Sequence, residues 1–325
     1  MTSPTTPFRS VLVTGADGYI GRQVISALAA DRRQLTTLVA SDLRLVPPER
    51  QLPGVIYQAA DIGSSELARA FEQYRVEAVV HLAAVIPGKR SDRQMEYQVD
   101  VLGTQNVLEA CVKTGVRQLI YTSSGAAYGY HADNPAWLDE SDPVRGNEEF
   151  AYSHHKRLVE EMLARCRNEH PELSQLIFRP GTILGAGTRN PITNMFDQPR
   201  ITGIKGVDSP FVIIWDRDVV GAILKGIFEG GRGIYNMAGD GVLTLPEMAR
   251  LLDKPYRALP AWLVSAVLWA GKRLGLTQYG PEQVRFLRYR PVLSNRRLKE
   301  EFGFIPQKTT REAFDYYLEN RGHAD

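Results

Sequence analysis

The alternation of short β-branched runs with amphipathic stretches limits the fold of this chain more than any other feature. Strand signals stand at Ser10–Thr14, Leu35–Ala40, Val55–Gln58, Ala78–Leu82, Gln118–Thr122, Leu176–Phe178 and Ile234–Asn236. Helical patterns fill the gaps at Gln23–Ala30, Glu66–Tyr74, Gly103–Thr114 and Tyr152–Arg167. A strand, a helix and another strand in succession require a crossover, and crossovers give parallel strands with helices on both faces. The pattern therefore predicts an α/β fold built on a doubly wound parallel sheet. After Arg179 the rhythm changes: residues 180–210 are rich in glycine, proline and threonine, and Phe211–Phe228 returns to a strand and a helix. From Ala238 onward the chain is mainly helical, with proline breaks at Pro246, Pro255, Pro260, Pro281 and Pro291. We expect a flexible tail over residues 1–8, a sheet domain from 9–180 plus 211–237, and a smaller, mainly helical cap from 181–210 plus 238–325. Ligands of open α/β sheets bind beyond the carboxyl ends of the strands, so the cap should cover that edge and hold the substrate.

The first strand signal runs into GADGYIG and then a helix, with Gly15, Gly18 and Gly21 spaced three apart. The first glycine permits a tight turn, the second lets backbone approach a pyrophosphate, and the third lets the helix pack close to the strand. The free N–H groups and partial positive charge of the helix N-terminus then face the phosphates. Such a loop after a strand and before a helix predicts a Rossmann-type dinucleotide site; a mere tight turn is the plainer alternative. Asp17, Tyr19 and Ile20 fall in the same loop. The second strand ends at Ser41 and Asp42. An acid there accepts the ribose hydroxyls of NAD and repels a 2′-phosphate, which points to NAD. Arg44 is the competing feature, since it would suit NADP, and Asp42 has a plainer reading as the cap of a turn. Asp61 and Ile62, at the end of the third strand region, are candidates for the adenine edge. The small run Leu82, Ala83 and Ala84 would line the middle of the cofactor. His81 on its apolar strand reads as a satisfied core histidine.

The fifth strand ends in Thr122, Ser123 and Ser124, and AYSHHK follows with Tyr152 and Lys156 four apart. On a helix that spacing puts both on one face. A tyrosine with a reference pKa of about 10 is too weakly acidic to act as a base near neutrality. A neighbouring ammonium and a positive nicotinamide ring would favour its phenolate. Lys156 would also hold the nicotinamide ribose, and Ser124 would hydrogen-bond the substrate oxygen as charge develops. His154 and His155 diverge on the helix and are expected on its outer or interface side. Tyr128 reads as structural.

Taken in order, TGADGYIG, VVHLAA, VLGTQNVLEAC, YTSSGAAYG, YSHHK and FRPGTILGAG resemble the extended short-chain dehydrogenases/reductases, the NAD-dependent epimerase/dehydratase family. The resemblance covers nearly the whole chain. It implies an NAD cofactor, catalytic Ser124, Tyr152 and Lys156, and cofactor contacts from Pro180, Thr182 and Ile183. It also implies a homodimer through the helices containing Gly103–Thr114 and Tyr152–Cys166. The family's usual asparagine, which organises the site through water, stands here as Asp100. Gly125 and Ala126 occupy the places where the family's 4,6-dehydratases carry an acid pair, which speaks against dehydration and decarboxylation.

What remains is net oxidation or reduction of a secondary alcohol or ketone, epimerisation of a nucleotide sugar at C4 with retained NAD, or a non-catalytic dinucleotide sensor. Trp262, Trp269, Phe286 and Tyr289 make an apolar cap that resembles the 3β-hydroxysteroid dehydrogenase branch, which implies a hydrophobic or sterol-like substrate; helix packing explains it equally well. Arg189, Arg200 and Lys205 could meet a diphosphate, or form a solvated loop face. Composition excludes other classes: 39 lysines and arginines against 37 acids leave a net charge of +2, giving no electrostatic basis for nucleic acid binding. Cys111 and Cys166 lack metal or disulfide spacing, and no cluster suggests a metal. The start, Met1 to Pro7, lacks a secretion pattern, so a cytoplasmic protein is expected. The apolar stretch AWLVSAVLWAGKRLGL (Ala261 to Leu276) is too interrupted to span a bilayer. It reads as a buried helix, with a lid over a greasy substrate or a peripheral membrane contact as alternatives.

Overall fold

Seven parallel strands lie in the order β3-β2-β1-β4-β5-β6-β10, read from one edge to the other. They are β1 (Ser10–Thr14), β2 (Thr37–Asp42), β3 (Ile56–Ala59), β4 (Ala78–His81), β5 (Gln118–Thr122), β6 (Ser174–Pro180) and β10 (Gly233–Met237). The computed structural model describes residues 8–85, 92–276 and 280–322. The order reverses between β1 and β4, where the chain crosses from one half of the sheet to the other, and a ligand crevice forms at such a switch point.

Apolar residues cover both faces of the sheet, so its inner strands are buried runs rather than alternating ones. Val11, Leu12 and Val13 are all fully buried, and Leu12 faces the side opposite its two neighbours. On one face α1 (Tyr19–Ala30) and α7 (Asp216–Glu229) bury Val24, Leu28, Val219 and Ile223. On the other, α2 (Glu66–Gln73), α4 (Thr104–Thr114) and α5 (Ala151–Glu169) bury Leu67, Leu108, Val159 and Leu163. A short α3 (Arg93–Tyr97) and a π-helical turn, Gln98–Gly103, precede α4. Gly115 ends α4 in the left-handed region at φ 72°, a conformation that glycine adopts without a Cβ penalty.

A second core lies beyond the strand ends. It gathers Leu184, Phe196, Phe211, Ile213, Trp215, Leu245, Met248 and Phe314. The elements around it are β7 (Thr182–Leu184), α6 (Pro191–Phe196), β8 (Ile201–Ile204), β9 (Ile213–Trp215), α8 (Leu245–Leu251), β11 (Tyr256–Leu259) and α12 (Thr310–Asn320). Asn190, Thr244 and Thr309 start α6, α8 and α12 with reciprocal capping boxes. The later chain also forms α9 (Ala261–Arg273), α10 (Gln283–Arg288) and α11 (Arg296–Glu300).

Several expectations shift. The segment 211–237 divides: β9 pairs with β7 outside the main sheet, whereas β10 joins that sheet beside β6. Residues 1–7 and 323–325 lie outside the described residues. Phe8, grouped with the tail from sequence, is buried at 3% exposure with the Arg117 guanidinium 5.0 Å over its ring. Ala261 to Leu276 is not a buried helix, because no residue of α9 is buried. Among the described residues no helix is long and apolar enough to cross a membrane.

Candidate active site

The turn between β1 and α1 is built where a side chain has no room. Gly15 has φ +65°, and a Cβ on it would lie 2.6 Å from the Ala83 nitrogen. A Cβ on Gly21 would lie 2.1 Å from the Gly15 carbonyl oxygen. Gly18 is the N-cap of α1 and makes no side-chain cap, so the helix presents bare backbone at its positive end. Gly15, Gly18, Tyr19, Ile20 and Gly21 line a cleft of about 2020 Å³ over the carboxyl ends of the strands. A cradle closed to Cβ atoms and ending on uncapped amides fits a pyrophosphate.

Asp42 braces this turn. One carboxylate oxygen accepts from the Asp17 N–H at 2.9 Å and the other from the Leu43 N–H at 2.7 Å. Asp17 in turn receives Arg50 at 2.7 and 3.1 Å. Arg50 lines the cleft, whereas Arg44 is exposed and does not. Nothing local in the sequence singles out Arg50, because seven residues separate it from the end of β2. Asp17, Asp42, Asp61, Ile62 and Ala83 also stand off the cleft lining. Ala83 backs the Gly15 turn. β3 ends at Ala59, one residue past its strand signal and short of Asp61; Asp61 then accepts from the Gly63 N–H at 2.8 Å, and Ile62 packs in the core beneath α4.

Ser124, Tyr152 and Lys156 line the same cleft, together with Leu82, Ala84, Thr122, Ser123, Pro180, Thr182 and Ile183. The serine turn and α5 are tied together locally. Ser153 Oγ donates to the Ala126 carbonyl at 2.7 Å, and the Gly146 N–H donates to the Ala127 carbonyl at 3.0 Å. Ser124 Oγ accepts from the Ala126 N–H at 3.1 Å. Behind them Ser123 donates to Glu160 at 2.7 Å, and Glu160 holds Arg179 at 2.8 Å in a buried ion pair. Arg179 reaches the Tyr128 hydroxyl at 2.7 Å, which gives Tyr128 the structural place expected of it.

Lys156 is buried, and its ammonium lies 5.8 Å from the centre of the Tyr152 ring. It donates to the Tyr121 hydroxyl at 2.9 Å and to the Thr122 carbonyl at 3.3 Å. Burial alone opposes its charge, but Tyr121, Tyr152 and Asp100 outweigh burial and hold the ammonium above its ordinary pKa. Burial raises the Asp100 carboxyl, while Lys156 and the Val85 N–H at 2.9 Å pull it back. His81 is the core histidine expected: its ring nitrogens meet Thr14 and Thr104 at 2.7 and 3.0 Å. His155 departs from expectation, being 2% exposed against Tyr97.

One site residue carries no local sequence signal. Arg290 lines the cleft with its guanidinium 3.7 Å from the centre of the Phe211 ring and 4.4 Å from that of Phe286. Its Nε and Nη1 are shielded from solvent without a partner, and only Nη2 reaches Thr182 Oγ1, at 3.4 Å. Burial pushes its pKa down to about 10, against a small opposing pull from Tyr130. Of the cations expected near a diphosphate, Arg189 and Arg200 line the cleft and Lys205 does not. Tyr130, Phe150, Phe286 and Leu268 supply apolar wall.

The comparisons with known proteins agree with this architecture. A 3beta-hydroxysteroid-dehydrogenase/decarboxylase of Arabidopsis thaliana is 26% identical over 97% of this chain and 62% of its own length. The Escherichia coli O157:H7 N-acetyl-alpha-D-glucosaminyl-diphospho-ditrans,octacis-undecaprenol 4-epimerase is 34% identical over 58% of this chain and 53% of its own. The solved UDP-glucose 4-epimerase of Thermotoga maritima superposes with a TM-score of 0.73 at 19% identity, covering 96% of this chain and 98% of that one. The family model for NAD dependent epimerases/dehydratases matches residues 11–206, and the chain belongs to that family.

Proposed function

We propose that this protein is an NAD-dependent oxidoreductase that moves hydride at a secondary alcohol or ketone carbon, with Ser124, Tyr152 and Lys156 as its catalytic residues. The observation that carries this reading is that all three share one cleft with Gly15, Gly18 and Gly21. The turn after β1 would hold the pyrophosphate, and Asp42 and Asp17 would meet the adenosine ribose beside Arg50. Asp61 and Ile62 remain the candidates for the adenine edge. Leu82 and Ala84 would line the middle of the cofactor, with Ala83 behind the Gly15 turn, and Thr122, Ser123, Pro180, Thr182 and Ile183 would complete the cofactor wall. Bound there, NAD supplies the hydride acceptor or donor. Tyr152 takes the proton from the substrate hydroxyl, or returns it, as hydride moves. Lys156, whose ammonium lies 5.8 Å from the centre of the Tyr152 ring and donates to Tyr121, would hold the nicotinamide ribose. Ser124 hydrogen-bonds the same substrate oxygen.

The substrate reading is an apolar body with an acidic group. Arg290 is a cation in the cleft lining beside Phe286 and Phe150, and it would attract the phosphate or carboxylate of such a substrate. The same arginine, with Arg189 and Arg200, favours the second reading, a nucleotide-sugar 4-epimerase with retained NAD. Net NADH formation from exchangeable NAD supports the first reading; tightly held NAD without net turnover supports the second. For either, Tyr152→Phe should cut turnover by about 10²–10⁴-fold while NAD affinity stays near that of the parent. Full activity in that variant would remove Tyr152 as the base. The groove between α4 and α5, lined by Tyr97, Leu108, Val112, Leu158 and Met162, is the surface we propose for a homodimer.

A further inference from the structure

Helix α9 is rich in apolar residues on every side, yet none of them is buried. A helix of that composition normally lies inside a core. One side is accounted for, since Val264, Val267 and Leu268 line the cleft. The other is not. Trp262, Ala266, Trp269 and Arg273 form a single exposed stripe along it, at helical spacing. Trp262 is 72% exposed and Trp269 is 56% exposed, and Leu274 and Leu276 extend the patch past the helix end at 71% and 79%. The Arg273 guanidinium lies 5.6 Å from the centre of the Trp269 ring.

Charge is concentrated on the same segment. Residues 256–290 hold six lysines and arginines against one acid, Glu282, a net +5; the whole chain is +2, so the rest sums to −3. Arg257, Arg273 and Arg288 are exposed, while Lys272 shares Glu282 at 3.4 Å and Arg285 pairs with Glu149 at 2.8 Å. Exposed tryptophans beside lysine and arginine are the chemistry of a membrane interface: the indoles sit at headgroup level and the cations meet acidic lipids. A second copy of the chain would bring the same positive surface against itself, which disfavours it.

We propose that α9, with Leu274 and Leu276, docks this protein on an anionic phospholipid bilayer, with the α9 side of its cleft beside the lipid. The full chain should sediment with vesicles of phosphatidylglycerol and phosphatidylcholine in equal parts, and far less with phosphatidylcholine alone. Neutralising two cations in K272Q/R273Q should weaken binding about thirty-fold. W262S/W269S should weaken it at least as much, with both variants keeping the parent melting midpoint because the altered side chains are exposed. A parent protein that ignores both kinds of vesicle, or variants that bind as it does, would overturn the proposal. So would self-association that the tryptophan variant abolishes while vesicle binding is absent.

Discussion

Arg290 carries an unresolved conflict between stability and binding. Its shielded Nε and Nη1 donors lack partners, and leaving such donors unmet costs about 1–3 kcal/mol. Arg290→Met keeps the length of the chain and its contact with Phe211 while removing those donors. We expect its melting midpoint to rise, and its affinity for an acidic substrate or for UDP to fall at least tenfold. A lower midpoint with unchanged affinity would show that the guanidinium is structural. This residue was not legible in the sequence, because its neighbours Thr182 and Phe211 are brought to it only by the fold. Tyr152 and Lys156 were legible because their relation is local: four residues on one helix bring them together. Asp42 was only half legible. Its position at the end of β2 was read correctly, but its bond to the Asp17 N–H depends on how the glycine turn folds back. Arg44 was the nearer cation in sequence, yet Arg50 is the one that pairs with Asp17 and lines the cleft.

Among the elements, β4 depends on its last residue. His81 bridges β1 and α4 through Thr14 and Thr104, and burial pushes its pKa down to about 3. In the unfolded chain the ring takes a proton below its ordinary value of 6.5, whereas in the fold it stays neutral until about 3. Between those values the unfolded state binds more protons, so stability falls as pH falls. By about pH 4.5 the loss from His81 alone is about 3 kcal/mol, and buried His155, pushed down to about 4, adds in the same direction. Melting curves from neutrality to that pH should show the decline, and His81→Gln should shallow it. A flat profile would mean that these rings protonate without unfolding. The seven strands of the main sheet were legible from β-branched runs, whereas the short β7, β8 and β11 were not; β2 and β6 moved or lengthened because pairing in the sheet, not composition, sets their ends. The link between α1 and the later chain was not legible. Tyr19 donates to Asp216 at 2.6 Å, and Thr188 donates to Tyr19 at 2.8 Å, contacts that span most of the sequence.

Across the molecule, the sheet domain brings the glycine turn and the serine–tyrosine–lysine group to one cleft, and the later chain adds Arg189, Arg200 and Arg290 to its lining. The architecture was legible because strand and helix rhythms repeat along the chain. The exposure of α9 was not, since an apolar helix looks the same in sequence whether a core, a lipid or water covers it. The proposed dimer belongs to this scale. Sedimentation should give a dimer for the parent and a monomer for Met162→Glu, which sets a charge in the groove between α4 and α5; a monomeric parent would dismiss that surface. The most direct test of the whole account is a crystal structure with NAD bound. We predict the pyrophosphate on the turn of Gly15, Gly18 and Gly21, and the nicotinamide ribose within hydrogen-bonding reach of Lys156, with the ring beside Tyr152. A dinucleotide seated away from that turn, or a nicotinamide end remote from Tyr152 and Lys156, would contradict it.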